Sequence, residues 1–421
     1  MTKMTKLTML AALVGLAAFT TSCGGDDPNP KQDGEISSQN DPDLISTDLQ
    51  GDIVGDITLD AATIWYLNGP LAVKAGASLT IEAGTTIYAT AGSTNVYLVV
   101  ETGGQIFAEG TSVDPITFTS AAASPANGDW GGILINGLAP ISGGGTSTTE
   151  VLPLSYGGTD TNDDSGVFKY VILEYTGARI NGEKEFNGLT LYAVGAGTDI
   201  NNIVINGGDD DGIEFFGGSV TVDNLLVINA RDDMFDWTQG FTGGGSNWYG
   251  IRESGYVTVS EDTRGIEGDG NLDGLNPLQS GQSNPSIDKV TIVNAAAIEF
   301  ADMIKIRRGS NATITNAMIA TVGSTALFSD LVDFSDSKGM ADDNATVSYW
   351  YNTDLEQFED EADIKTQADF DNPADGIQAD EMTDATATPS NSATGATISN
   401  FNWTGYSFPT LTPASVVVAR K

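Results

Sequence analysis

The chain has 421 residues, 40% of them hydrophobic and 18% charged, which is enough to bury the core of one large or two ordinary domains. Acidic residues outnumber basic ones by 57 to 18. The formal net charge of −39 excludes binding to nucleic-acid phosphates as a main activity and argues against docking of a basic patch on anionic lipid. The sequence has no His and one Cys, which excludes His-based catalytic triads, His/Cys zinc sites and internal disulfide bonds.

The N-terminus has the features of a leader that directs export. Lys3 and Lys6 come before an apolar run, residues 7–19, which is too short to span a bilayer, and small polar residues then lead to Cys23. This order resembles the signal peptide of bacterial lipoproteins, and the acidic residues after Cys23 resemble those of Bacteroidetes surface lipoproteins. The resemblance implies a signal peptide over residues 1–22, a lipid on Cys23 that binds the membrane, and a cell-surface position on the outer membrane. The alternative is a free thiol in an unprocessed leader.

Composition changes twice along the rest of the chain. Residues 23–51 are rich in Gly, Pro, Asp, Ser and Gln, and we expect them to form a flexible tether. From residue 52, short β-branched runs alternate with Gly, Asn and Asp, and no stretch has a sustained helical period, so the class is all-β. Residues 351–421 are predicted to be an acidic loop region followed by a C-terminal cap, in which residues 401–409 cover the open end of the coils.

An internal repeat predicts the architecture. Residues 199–206 recur as residues 222–229, an offset of 23, and the pattern returns in residues 287–294 and 313–319. The resulting period of about 22–23 residues is too short for a propeller blade and suits one coil of a parallel β-helix. We therefore predict a parallel β-helix over residues 52–350, with coils about 4.8 Å apart.

Further segments carry a family resemblance. Residues 71–87, 103–110, 115–120 and 130–133 resemble the opening coils of right-handed parallel β-helix, pectin-lyase-like proteins. The whole resembles Bacteroidetes outer-membrane lipoproteins with such a domain. The resemblance implies the fold, and because this fold hosts many functions it leaves the activity open.

A second repeat predicts rows of polar side chains. Residues 187–191, 211–215, 233–237 and 302–306 align, with apolar residues at the third and fifth positions and a polar residue at the fourth. Because strand side chains alternate between faces, the apolar positions should enter the core and the polar positions should form an outer row. The predicted outer row is Thr190, Glu214, Asp236 and Lys305, and the predicted turn row is Asn187, Asp211, Asp233 and Asp302.

The acidic members of these rows are candidate cation ligands. Carboxylates about 4.8 Å apart repel each other by about 1–3.5 kcal/mol, depending on the effective dielectric. Solvent with nearby Lys and Arg, a raised pKa or a bound cation would offset this repulsion, and oxygen-only ligands suit Ca²⁺. We predict Ca²⁺ ligands at Asp211 and Asp233. The alternatives are a ladder of Asp and Asn side chains bonded to local backbone, and a solvated acidic face.

Residues 238–285 interrupt the coil period and are predicted to be a long inserted loop. They contain Trp248 and Tyr249, which we predict to contact a ligand. Asp269, Asn271 and Asp273 place oxygens at alternate positions before a Gly, as in the first half of a Ca²⁺ loop. The acidic residue expected at the twelfth position of such a loop is replaced by Ser280. The alternative is an ordinary Gly/Asn/Asp turn.

These features leave three functions open. A lipid-tethered rod could bind glycan or a surface protein with Ca²⁺ assistance, because aromatic faces cover sugar C–H groups and carboxylates accept hydroxyl hydrogens. It could also be a scaffold whose acidity maintains solubility. The third is a polysaccharide lyase or glycoside hydrolase with a basic catalytic strand, although the His-containing motif of pectin-degrading hydrolases is absent. The candidate ligand-binding residues are Trp248, Tyr249, Glu214, Asp236, Lys305 and Arg307.

Overall fold

Most strands of this chain pair in parallel with strands one coil earlier and one coil later. The computed structural model describes residues 34–180, 184–274, 279–323, 328–335, 338–353, 385–390 and 392–411. Within these ranges 24 strands form one continuous sheet, and two short strands form a separate antiparallel pair. The chain is a right-handed parallel β-helix, so the predicted fold is confirmed. None of the described helices has the length and apolar character needed to cross a membrane.

The strands have the following bounds. In chain order they are β1 (Glu35–Ile36), β2 (Leu49–Ile53), β3 (Asp56–Leu59), β4 (Trp65–Val73), β5 (Ser78–Ile81), β6 (Thr86–Ala89), β7 (Tyr97–Val100), β8 (Gln105–Glu109), β9 (Ile116–Ser120), β10 (Ile133–Asn136), β11 (Ser147–Thr148), β12 (Ser155–Tyr156), β13 (Gly166–Thr176), β14 (Leu189–Tyr192), β15 (Asp199–Gly208), β16 (Ile213–Phe216), β17 (Thr221–Ala230), β18 (Phe235–Thr238), β19 (Gly244–Arg252), β20 (Arg264–Asp269), β21 (Ser286–Asn294), β22 (Phe300–Arg307), β23 (Thr313–Thr321), β24 (Phe328–Asp333), β25 (Thr346–Thr353) and β26 (Thr386–Pro389). Two short 3-10 helices cover Leu272–Gly274 and Ile398–Thr404.

The continuous sheet bends within each coil, so that the strands stack on three faces of parallel strands, which we call sheets A, B and C. Sheet A stacks β1, β2, the end of β4, β7, β10, β14, β16, β18, β20, β22 and β24. Sheet B stacks β3, β5, β8 and the first halves of the long strands β13, β15, β17, β19, β21, β23 and β25, and ends at β26. Sheet C stacks the start of β4, β6, β9 and the second halves of those long strands.

One residue with a positive φ marks the bend of a long strand from sheet B to sheet C. Asn tolerates this left-handed conformation better than most residues, which explains why Asn recurs there. Asn202 therefore pairs in register with Asn224, an offset of 22. This offset lies within the predicted period of about 22–23 residues, and the alignment of the repeat at 23 is one residue out of register. The bend residues are Tyr170, Asn202, Asn224, Asn247, Lys289 and Asn316, with φ between 49° and 65°.

The core runs along the axis between the three sheets. Ile213, Phe215, Phe235 and Trp237 are fully buried, as the alternation in the sequence predicts. Ile304 and Ile306 are buried in the same way two coils later. The opposite side chains of the same strands are therefore directed to the outside of sheet A.

Paired structure begins before the predicted boundary at residue 52. Within the predicted tether, β1 pairs with β2, and Ile36 and Leu49 are buried in the core. The Gln39 side-chain amide donates to the Thr58 carbonyl and accepts from the Thr58 N–H, which occupies the free edge of β3. The described part of the tether, residues 34–51, is thus the first coil and its cap.

The C-terminal segment lies against the side of the coils and not over their end, so the predicted cap was misplaced. Residues 392–411, the C-terminal strap, cover the outer face of sheet C. Phe401 is fully buried in a cluster with Leu226, Tyr249 and Val293. This face is apolar on the later coils, and the strap removes it from water.

The predicted insertion at residues 238–285 is largely regular. β19 and β20 lie inside it and pair in register with the coils on either side. The extra residues that the structure describes lie outside these strands, in residues 253–263, 270–274 and 279–285. The prediction failed because Gly replaces an apolar residue at positions 250 and 268. A Cβ on Gly268 would lie 2.2 Å from the Trp237 ring, and one on Gly250 would lie 2.3 Å from the Met234 sulfur.

Candidate cation-binding site on sheet A

A row of polar side chains runs along the outside of sheet A. The register pairs Thr190 with Glu214, Glu214 with Asp236, Asp236 with Glu267, and Glu267 with Lys305. These five residues form the first outer row. The predicted placement of Glu214 and Asp236 on adjacent coils is confirmed. Glu267 is an unpredicted member of the row, because the sequence pattern placed its strand in an inserted loop.

Three carboxylates come together where this row meets the turn that enters sheet A. Oxygens of Asp211, Glu214 and Asp236 lie within 4.8 Å of one another. We call these residues the carboxylate triplet. Further acidic groups adjoin it on both sides, since Asp211 also lies within that distance of Asp210 and Asp232, and Asp236 lies within it of Asp233 and Glu267.

Basic side chains neutralise one end of this acidic run. The carboxylate of Glu267 lies 2.6 Å from Arg264 and 2.5 Å from Arg307. Arg264 also lies 3.8 Å from Asp233. No described Lys or Arg side chain forms an ion pair with any member of the carboxylate triplet. Among the described residues, the triplet therefore lies in the part of the run that has no ion-pair partner.

Two acceptor oxygens at the triplet have no hydrogen-bond donor among the described residues. The Oδ1 atom of Asp236 is buried and has no hydrogen-bond partner among the described residues. The same holds for the Oδ1 atom of Asn187, whose side chain is 5% exposed. The Asn187 amide group lies at the triplet, because its Nδ2 donates to Oε2 of Glu214 at 2.6 Å. Buried acceptors are normally satisfied, so these two oxygens mark a position for an electropositive partner.

Two of the three Asp residues of the turn row, Asp211 and Asp233, also accept hydrogen bonds from backbone N–H groups. Oδ1 of Asp211 accepts from the N–H of Asp233 at 2.8 Å, and Oδ1 of Asp233 accepts from the N–H of Arg264 at 2.5 Å. The ladder that the sequence offered as an alternative therefore exists at these residues. It uses one oxygen of each carboxylate and holds both side chains in place.

The electrostatics of the triplet favour neutralisation. Burial, and then repulsion from the neighbouring carboxylates, raises the pKa of Asp211, Glu214 and Asp236 well above the usual range. The hydrogen bond from Asn187 opposes this rise for Glu214. Burial also raises the pKa of Glu267, although Arg307 and Arg264 oppose the rise. Uptake of protons or of a cation would relieve this repulsion.

Comparison with known proteins agrees with the fold. Residues 51–405 match the family described as "Pectate-lyase like beta helix domain". The chain belongs to this family. No curated protein and no solved structure matches the chain. Membership of the pectate-lyase-like β-helix family gives the architecture. The function depends on the residues of the site, because one fold hosts many functions.

In this family member, two arginines lie at the loop of residues 269–273. Asp269 is held by Arg307 at 2.7 Å and by Arg308 at 2.5 Å. The Asn271 side chain donates to Gln282 and to the carbonyl of Arg308. Two guanidinium groups therefore bind the carboxylate that the sequence offers as the first Ca²⁺ ligand, and they would compete with an ion there. The Ca²⁺ loop stays a prediction. The side chain of Asp273 lies outside the described part of the structure.

The aromatic and basic ligand-binding candidates are not available at the surface. Trp248 and Tyr249 are 0% and 1% exposed; the former lies in the core and the latter lies under the C-terminal strap. Lys305 pairs with Asp333 and lies 3.4 Å from Asp302, and Arg307 pairs with Glu267 and Asp269. Of the predicted ligand-binding residues, Glu214 and Asp236 are the two that the structure brings together. Cys23 lies outside the described residues.

Proposed function

We propose that this chain is a binding module that is anchored at the outer cell surface through a lipid on Cys23. Its carboxylate triplet takes a divalent cation, Ca²⁺ first, and the loaded face of sheet A binds glycan or a surface protein. Asp211, Glu214, Asp236 and the Asn187 amide oxygen would hold the ion. The cation would cancel the repulsion among the carboxylates and offer positive charge to a ligand.

One observation carries the proposal. The triplet is an oxygen-only donor set with no counter-charge among the described residues, whereas Glu267, on the next coil, has two arginines. Three carboxylates and an amide oxygen suit a hard cation such as Ca²⁺, whose remaining ligands would be water or the bound partner. The unpartnered Oδ1 of Asp236 and Oδ1 of Asn187 supply acceptors that no described donor uses.

Calorimetric titration of Ca²⁺ tests the proposal. The protein is the chain that follows Cys23, together with its Glu214→Ala and Asp236→Ala variants. We expect one saturable binding event in the parent and a loss of affinity of at least about tenfold in each variant, since each removes a charged ligand.

Asp223→Asn is the matched control for the loss of one negative charge. Asp223 lies on the outside of sheet B, where it accepts from Ser246 at 2.8 and 2.9 Å. Asp223→Asn removes the same formal charge away from the triplet and should leave Ca²⁺ affinity unchanged. Equal heats in all four proteins would remove the triplet as the site.

A second candidate function is cleavage of a polysaccharide. It is favoured by the adjacent pair Glu214 and Asp236, because a protonated carboxyl beside a carboxylate is the pair that glycosidases use. The lyase version is weaker, since Lys305 and Arg307 are engaged in ion pairs. Incubation with neutral and uronate polysaccharides, followed by assay of reducing ends and unsaturated products, separates the two. If products form and Glu214→Gln abolishes their formation, the protein is an enzyme and the proposal of a binding module is refuted.

A further inference from the structure

The outer face of sheet C differs between its first coils and its later coils. On the later coils this face is apolar, and the C-terminal strap covers it with Phe401. Among the described residues, strap contacts reach back along the coils to Tyr170 and Ile172 on β13. On the earlier coils of β4, β6 and β9 the face is open to solvent, since Ile64 is 58% and Tyr66 37% exposed.

Two tyrosines on this open face form a stacked pair. Tyr66 of β4 pairs in register with Tyr88 of β6, and their ring centroids lie 5.6 Å apart with an angle of 27° between the ring planes. The coil fixes the direction of both rings, because the preceding residues, Trp65 and Ile87, are buried in the core and strand side chains alternate. The two rings therefore form one aromatic surface that extends across two coils.

Uncharged side chains surround the tyrosine pair. Residues two positions before or after each tyrosine share its face of the sheet, and Thr119 on β9 pairs in register with Tyr88. None of these side chains carries a charge at neutral pH, although acids outnumber bases by 57 to 18 in the whole chain. We call this surface the tyrosine face, and its members are Ile64, Tyr66, Asn68, Thr86, Tyr88, Thr90, Thr117 and Thr119.

The polar groups of the tyrosine face are held in fixed positions. The hydroxyl of Thr90 donates to Oδ1 of Asn68, whose Nδ2 donates to the carbonyl of Thr47 at 2.8 Å. The hydroxyl of Thr119 donates to Oε2 of Glu174 at 2.8 Å. Each Thr hydroxyl uses its hydrogen in this way and keeps lone pairs that accept a hydrogen bond. The tyrosine face thus combines exposed aromatic rings with acceptor oxygens beside them.

We propose that the tyrosine face binds a neutral glycan chain, which lies flat across the coils of β4, β6 and β9. The rings of Tyr66 and Tyr88 cover the C–H side of a sugar ring, and sugar hydroxyls donate to the oxygens of Thr90 and Thr119. A tyrosine has only two side-chain torsions, so its immobilisation on binding costs little conformational entropy. A polyanionic chain is disfavoured, because the net charge of −39 repels it.

This surface is separate from the proposed cation site. The tyrosine face lies on sheet C of the first coils, whereas the carboxylate triplet lies on sheet A around β16 and β18. The inference therefore does not depend on a bound cation.

Calorimetry with defined oligosaccharides tests the inference. The probes are cellohexaose, mannohexaose and xylohexaose, and the proteins are the chain that follows Cys23 and its Tyr66→Ala and Tyr88→Ala variants. We expect at least one oligomer to bind the parent, and each alanine variant to bind it about tenfold more weakly or worse. Tyr66→Phe keeps the ring and should retain most of the affinity. Absence of binding by all of the oligomers, or parent-like affinity in either alanine variant, would overturn the inference.

Matched controls separate this inference from the proposed function. Tyr256→Ala makes the same substitution in the loop of residues 253–263, outside sheet C, and should bind the oligomer as the parent does. Glu214→Ala and a chelating buffer should also leave that affinity unchanged. If Glu214→Ala abolished binding while Tyr66→Ala did not, the glycan would bind at the triplet and the tyrosine face would be refuted.

Sedimentation velocity tests a second copy of the chain as the occupant. We expect Tyr66→Ala to have the same sedimentation coefficient as the parent. A parent dimer that Tyr66→Ala dissociates would identify the tyrosine face as an interface between copies and would refute the glycan site.

Discussion

At the residue scale, the Trp237 side chain determines which residue can occupy position 268 on the next coil. The Trp237 ring fills the space where a Cβ at position 268 would lie, so the strand can close on sheet A only with Gly there. Gly268→Val should therefore destabilise the protein by about 1–3 kcal/mol, as overpacking of a core does. Chemical denaturation measures the change in the free energy of unfolding.

The control for this prediction is another glycine in a strand. A Cβ on Gly208 would come no closer than 3.4 Å to its neighbours, so Gly208→Ala should cost less than Gly268→Val. If both variants unfolded at the parent's denaturant concentration, the tight contact between Gly268 and Trp237 would be contradicted.

Asp236 should lower the free energy of unfolding of the Ca²⁺-free protein, although it contributes a ligand to the proposed Ca²⁺ site. Its carboxylate lies beside two others, none of which forms an ion pair with a described Lys or Arg, and burial and repulsion raise its pKa. Asp236→Asn removes one charge and keeps the shape, so in Ca²⁺-free buffer at neutral pH it should stabilise the fold by about 1–3 kcal/mol. Addition of Ca²⁺ should raise the Tm of the parent and leave the Tm of Asp236→Asn nearly unchanged. A variant less stable than the parent without Ca²⁺ would show that the repulsion is already relieved.

At the element scale, the sequence was sufficient for the fold class and for the inward and outward faces of individual strands. It was insufficient for register, because the Asn at each bend can be aligned with an offset of 22 or 23, and only pairing between coils selects 22. It also missed Glu267, since the Gly at position 268 broke the apolar pattern and the fit to Trp237 is a contact between coils. Trp248 is buried because β19 is a regular strand of the coil, and Tyr249 is buried because the C-terminal strap covers it. Local sequence patterns reveal neither contact.

The C-terminal strap should detach when its central contact is removed. Phe401 is fully buried against sheet C, while Ile398 in the same 3-10 helix is 49% exposed. Replacement of a buried Phe by Ala typically costs about 3–5 kcal/mol, which is enough to release a short segment. Hydrogen exchange of Phe401→Ala should lose protection in residues 392–411 while strands β14–β18 keep theirs. Ile398→Ala should behave like the parent, and protected strap amides in Phe401→Ala would contradict the role given to this contact.

At the scale of the whole molecule, stability should depend on pH through the acidic run. The carboxyls of the triplet have pKa values raised above those of the unfolded chain, so the folded protein binds more protons as the pH falls. Without Ca²⁺, the free energy of unfolding should therefore increase as pH is lowered from neutral through the folded pKa values towards about 4, by up to about 1.4 kcal/mol per pH unit for each proton taken up. Thermal unfolding measured across this range in a chelating buffer tests the sign.

Ca²⁺ should flatten or reverse this dependence. The ion binds the deprotonated triplet and competes with protons, so its stabilisation should be largest at neutral pH and decline as the carboxyls protonate. The double variant Glu214→Gln, Asp236→Asn should show a weaker pH dependence and little response to Ca²⁺, while Asp223→Asn should follow the parent. If stability without Ca²⁺ instead declined steadily from neutral pH to pH 5, the triplet would have to be neutralised by a fixed charge, and its assignment as a cation site would fail.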